Sequence, residues 1–423
     1  MNPNPTLRLP RPTVLAVAGS AAMLLAAPAF TQAQSNIKPP QAQAWIDVAT
    51  FSGMGMPMGG TAANPMAALG GLFGSGGAKN DFGNTRAGSA GRWVDVTLLS
   101  RNNPSLAEAE QAVPVGFMPS ALKLQSPKQG RPPENDDGVV EHDFERPRGK
   151  LLLYWGCGGT VLAGQPKVLD MASASADDIA KFFVSRRATQ RGTHSSVGRP
   201  VWPSPVDARM LPNTASLVGE HAFSGNGVPT GFRFQIPSTQ DLMPPLELKA
   251  RDAGGAVELS WAAAPTARAY FATGMAAGAK EEVVLWTSSE LPDTGMGLVD
   301  YQTDAAVDRW INEKVLLPPS ITRCTVPKGV FSGEGAMLRL IGYGHELNLT
   351  QPPRAADPKA AWEPLWAVKL RVKSVATTML GMSELDGTGK PASDQSAPVS
   401  PEREASKDKP PGALDILRGV LGR

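Results

Sequence analysis

Two nine-residue stretches constrain this chain more than any other feature: "AWIDVATFS" at residues 44–52 and "RWVDVTLLS" at residues 92–100. They match at Trp, Asp, Val and Ser positions. In the second copy Val94, Val96 and Leu98 alternate with Trp93, Asp95 and Thr97. Successive side chains of a strand point to opposite faces, so this is the period of a strand with one face buried. The first copy has the same form. Two copies fall short of a solenoid, which needs about three units to bury its faces. The pair therefore reads as two similar, neighbouring strands around a long insertion at 53–91. That insertion carries "GMGMPMGG" and then a glycine-dense run. Gly at that density carries a high ordering entropy and offers few side chains to bury, so mobility is expected there. The chain's 44 Gly and 39 Pro fall mostly between short β-like runs. That spacing favours a mainly β architecture with many turns.

The first 33 residues read as a secretory signal peptide. Arg8 and Arg11 precede the apolar run at 13–29, and small-residue patterns follow at Ala27-Pro28-Ala29 and Thr31-Gln32-Ala33. The apolar run is shorter than the roughly 20 residues of a membrane span, and no later segment is longer. The expected location is the periplasm or the extracellular space. The formal net charge of +2 is too small to suggest nucleic-acid binding.

The remainder divides into an N-terminal β-rich domain, 34–240, and a second β domain, 241–378. Within the first, "KLLLYWG" at 150–156 is the strongest core strand, and the Pro- and charge-rich stretch 126–149 before it reads as an exposed linker. Ser175, three residues before Asp178, makes a capping-box start for a helix whose Ile179, Phe182 and Phe183 share one face. Further strands are expected at 215–223 and 231–237. In the second domain the spacing of Val307, Trp310, Ile311 and Leu317 predicts a helix over 303–317. Val368, Leu370 and Val372 alternate with Lys369, Arg371 and Lys373, which predicts a half-buried strand with a basic outer face. Residues 379–423 read as a disordered tail ending in a short helix with a Leu414, Leu417, Leu421 stripe.

Residues 246–275, with two short alternating strands, a "DAGG" turn, Trp261 and "ARAY", resemble the opening of a fibronectin type III-like sandwich. The resemblance implies that Trp261 and Tyr270 are core residues. The "YWGCG" strand and the Gly/Met-rich segment resemble uncharacterised exported proteins of Gram-negative bacteria, and that likeness brings no activity with it.

The chemistry-bearing residues are few. No G-x-S-x-G elbow occurs, and His142, His194, His221 and His345 are scattered through the chain. A hydrolase would need a non-local site. Paired zinc ligands at short spacing are absent. Cys157 and Cys324 form one disulfide, worth about 4–5 kcal/mol, or remain two buried thiols. Arg186, Arg187, Arg191 and Arg199 follow the first helix closely enough to offer an anion-binding site or only a solvated helix end. Met54, Met56 and Met58 are soft thioethers that would select Cu(I) among metals.

The expectation is thus a mainly β chain of two sandwich-like domains. Its function is of non-catalytic binding or scaffolding type, without a cofactor, toward an envelope protein or an anionic envelope component. A Cu(I)-binding protein and a hydrolase are the alternatives.

Overall fold

The computed structural model describes residues 38–53, 79–128, 149–183, 186, 192–279, 282–331, 335–354, 356–357 and 360–380. The chain is mainly β. Strands of the first half are β1 (Ala42–Gly53), β2 (Gly91–Ser100), β3 (Glu108–Ala112), β4 (Leu122–Gln125), β5 (Lys150–Trp155), β6 (Lys167–Asp170), β7 (Val201–Trp202), β8 (Gly219–Ser224) and β9 (Arg233–Ile236). The second half adds β10 (Lys249–Asp252), β11 (Val257–Ser260), β12 (Ala269–Ala277), β13 (Glu282–Thr287), β14 (Arg323–Val326), β15 (Met337–Tyr343), β16 (Leu347–Gln351) and β17 (Trp366–Met379). Three α-helices occur among the described residues: α1 (Asn84–Ala87), α2 (Ala176–Phe182) and α3 (Asp304–Asn312).

The two repeat strands are neighbours, as their likeness suggested. β1 and β2 pair antiparallel, and Asp47 lies opposite Asp95. Fourteen strands form one sheet in the order β6-β5-β13-β12-β15-β17-β1-β2-β7-β4-β3-β8-β9, with β16 also paired to β17. The boundary expected at 240/241 does not interrupt it. β1 runs parallel to β17 along twelve residue pairs, from Ala42↔Trp366 to Gly53↔Thr377, and β5 runs parallel to β13. Strands of the first half thus extend both edges of the β13-β12-β15-β17 segment.

A second sheet, β10-β11-β14, packs on the apolar face of that segment. Val257, Leu259, Trp261 and Val326 share one core with Tyr270, Ala272, Trp286, Leu338 and Leu340. Trp261 and Tyr270 are both buried, with ring centroids 5.5 Å apart. The Tyr270 hydroxyl accepts the Ala264 N–H at 2.7 Å, so the ring's one polar atom is satisfied inside the core.

On the opposite face of the large sheet, helices and loops cover the strands from β5 to β2, whereas β3, β4 and β9 turn Glu108, Glu110, Lys123, Arg233 and Gln235 to solvent. Ser175 caps α2 through the anticipated box: its Oγ accepts from Asp178 N, and Asp178 Oδ2 accepts from Ser175 N. Phe182 then packs with Leu151, Leu153 and Val283. Thr303 caps α3, which seats Val307 and Trp310 on Phe271, Ile341 and Tyr343. That helix is shorter than predicted. Lys314 turns left-handed (φ 59°), and Leu317 then exchanges backbone hydrogen bonds with Tyr270 instead of continuing the helix into Pro318. The insertion reading also needs correction at its end, because residues 79–91 include α1 and pack on β1 and β2. Residues 54–78, most of the 126–149 stretch and the tail from 381 lie outside the described residues.

Candidate functional site

Among the described residues, a dense group of ionisable side chains lies on the covered face where β2, β1 and β17 run side by side. Register places Asp95, Asp47 and Arg371 in one row across the three strands. Two residues further along β17, the strand period puts Lys373 on the same face as Arg371. A basic outer face was expected for this strand, and the structure overturns that: Arg371 and Lys373 are 3% and 2% exposed. Period-2 reasoning assigns the polar face to water. Here that face lies beneath residues 192–194 and the loop carrying Asp300 and Tyr301, and β1 supplies the opposite charge.

The Arg371 guanidinium binds Asp47 bidentately, Nε to Oδ1 and Nη2 to Oδ2, each at 2.7 Å. Thr193 adds its backbone N–H (2.9 Å) and hydroxyl (2.6 Å) to Asp47 Oδ2. Gly192 makes that approach possible, since a Cβ there would overlap the Arg371 guanidinium. The Tyr301 ring lies against two cations: Arg371 is 4.5 Å and Lys373 Nζ 4.3 Å from its centroid. Lys373 Nζ also reaches Val299 O at 3.5 Å and Asp300 at 4.0 Å. On the β2 side, α1 closes the cluster. Thr85 Oγ1 lies 2.5 Å from Asp95 Oδ2, and the Gly83 N–H donates to the same carboxyl. Arg86 reaches across to Thr193 O at 2.9 Å, linking the two covering segments.

Burial and pairing pull these groups in different directions. For Asp47, burial favours the neutral form, but the Arg371 charge and the Thr193 hydrogen bonds outweigh it and hold the carboxyl below its ordinary value. Asp95 has no such cation, and burial pushes it up to about 7, helped by the neighbouring Asp47 charge. Burial drops Lys373 to about 8, against the attraction of Asp300.

A pH dependence follows from Asp95. Its folded value lies above its unfolded value, so its contribution is complete below about pH 4 and is lost as pH rises through about 7. Asp95→Asn is expected to gain stability relative to the parent across that window, by at most about 1.4 kcal/mol per pH unit. Denaturation midpoints of both proteins at pH 4.5 and 7.5 check this, and parallel pH profiles would refute it.

The other sequence candidates do not converge on this cluster. Arg186 is turned onto Asp293 and lies 3.9 Å from Glu313. Arg199 sits against the His194 ring, whose Nδ1 bonds Gly192 O. Arg187, Arg191, His142, Met54, Met56 and Met58 lie outside the described residues. His221 is buried on Gln111 and the Leu217 carbonyl, and His345 faces Asp304. Cys157 and Cys324 are joined, with Cα atoms 5.1 Å apart. Among the described residues, no group of three His, Cys, Asp or Glu side chains is arranged to hold a metal ion. No helix there is long and apolar enough to cross a membrane.

Sequence reasoning missed Lys373, Tyr301, Thr193 and Thr85 as members of the cluster. Its one usable signal was the Asp shared by the two repeat strands. Comparison with protein-family models, curated proteins and solved structures finds no match to this chain.

Proposed function

We propose that this chain is an exported, non-catalytic protein of binding or scaffolding type, acting in the periplasm or outside the cell on an envelope protein or an anionic envelope component. The observation that carries the reading is the direction in which the clustered charges face. Asp47, Asp95, Arg371 and Lys373 are each at most 3% exposed and are bonded to one another or to covering backbone. Acid–base or nucleophilic catalysis needs such groups within hydrogen-bond reach of a substrate. These instead hold three central strands and their cover in register. The Cys157–Cys324 bond supports the compartment, since disulfides persist chiefly in oxidising environments.

Mass spectrometry of the protein purified from its own cells, native and then denatured, tests the reading. The expected result is a chain starting near residue 34, with both cysteines oxidised and a non-covalent partner retained in the native spectrum. An unprocessed, reduced chain refutes export. Turnover of ester or peptide substrates that co-purifies with the protein refutes the non-catalytic part.

A further inference from the structure

β6 ends the large sheet: it pairs with β5 on one side and with no described strand on the other. The Met171 N–H donates to Gly149 O, which extends the β5–β6 ladder by a hydrogen-bonded pair. Such pairs recur at every second residue of an antiparallel ladder. Leu169 and Lys167 therefore also bond to β5, and Val168 and Asp170 turn their backbone groups outward. The Asp170 carbonyl accepts from the Ser173 and Ala174 N–H groups. The Val168 N–H and C=O and the Asp170 N–H form the open edge, a template for a further strand.

A turn at 171–175 sends α2 back alongside β6, far enough for Lys167 Nζ to reach Lys181 O at 2.9 Å. Between strand and helix runs a groove of about 400 Å³, within the roughly 300–1,000 Å³ of ligand-sized clefts. All four residues of β6 line it, together with Asp178, Lys181 and Phe182 of α2. Charge is unevenly matched along its length. At the closed end Asp178 accepts from the Ser175 N–H and hydroxyl, and Asp170 accepts from the Ala172 N–H and lies 4.0 Å from Lys150. At the open end stand Lys167 and the exposed Lys181. Among the described residues neither ammonium forms an ion pair with a carboxylate.

We propose that β6 takes up an extended segment of a partner protein as an added antiparallel strand, one that carries an apolar residue and, two positions later, a carboxylate. The proposal rests on the binding reading above and names a partner class for it. Antiparallel pairing is the more stable of the two directions. Directly opposite residues then share a face, so the segment's residue opposite Leu169 enters the groove beside Phe182. Two positions on, opposite Lys167, the strand period returns to that face and puts the carboxylate beside both ammonium groups. The residue between them exchanges two backbone hydrogen bonds with Val168. Its side chain covers the Val168 side chain, which is 51% exposed. Main-chain bonds thus supply affinity, and alternate side chains supply specificity.

The probe is fluorescein-Ser-Thr-Val-Val-Glu-Ser-amide, titrated into the full oxidised chain and followed by anisotropy. Saturable binding is expected. N-methylation of the second valine removes the donor to the Val168 carbonyl, so that peptide should bind about tenfold more weakly. Lys181→Glu should weaken the parent peptide about tenfold and come to prefer the peptide with Lys in place of Glu. Val168→Pro should abolish binding while its thermal midpoint stays near the parent's, because the N–H it removes faces away from β5. The proposal is overturned if the peptide does not bind, or if Lys181→Glu binds it unchanged. Equal binding of the N-methylated peptide also overturns it, since charge alone would then be drawing the peptide. A parent dimer that becomes monomeric in Val168→Pro assigns the edge to a second copy instead. Should the peptide fail while the native spectrum still retains a partner, the peptide class falls and the binding reading stands.

Discussion

Asp47→Ala is expected to cost about 3–5 kcal/mol of folding stability, the range found when one partner of a buried ion pair is removed. The loss comes from what remains. Arg371 would keep its charge deep in the sheet without its bidentate acceptor, and the Thr193 N–H and hydroxyl would lose theirs. Arg371→Ala should cost a similar amount from the other side, by leaving a buried carboxylate unpaired. The pair Asp47→Val with Arg371→Leu separates pairing from packing. It removes both charges at once, so most of the loss should return. A residual of about 1–3 kcal/mol is expected, because the Thr193 N–H is still left without an acceptor. Midpoints in guanidinium chloride at constant slope give the comparison. A single-variant loss below about 0.5 kcal/mol would mean that the ion pair does not hold the strands together.

The same residues show where sequence reasoning stops. The repeat was legible because it is local: period and matched positions identified β1 and β2 as related strands, and they pair with Asp47 opposite Asp95. Burial of their Asp residues was not legible. Alternation tells which residues share a face, and it takes a covering layer to tell whether that face is wet. The cover is built from residues 79–87, 192–194 and 293–303, which lie far apart in the chain and carry no periodic signal. Arg371 and Lys373 were misread for this reason, although their shared face was assigned correctly. Trp261 and Tyr270 were simpler, since large aromatic side chains in a sandwich strand have few places to go except inward. The parallel pairing of β1 with β17 joins residues more than three hundred positions apart, and nothing in either strand's own pattern names its partner.

Loss of the Cys157–Cys324 bond should destabilise the protein by about 5 kcal/mol, the chain-entropy value for closing a loop of this length. The two residues are separated by 167 positions, so the bond restricts a large part of the unfolded chain. In the folded state it ties the end of β5 in the large sheet to β14 in the small one. Hydrogen bonds flank it there, from Gly158 N to Thr325 O at 2.8 Å and from Lys328 N to Gly159 O at 3.1 Å. Those contacts do not need the sulfurs, so the native arrangement should persist in a weakened form after the bond is cut. Cys324 is 4% exposed, and alanine is the better replacement there because serine would bury a hydroxyl. Cys157 is exposed and accepts serine. The Cys157→Ser, Cys324→Ala variant and the reduced parent should therefore unfold at the same, lower denaturant concentration, and added reductant should leave the variant unchanged. If the variant matched the oxidised parent, the flanking hydrogen bonds and the apolar core would suffice to join the sheets. A chain so dependent on this bond would fold poorly in a reducing compartment, so the stability measurement also bears on where the protein works.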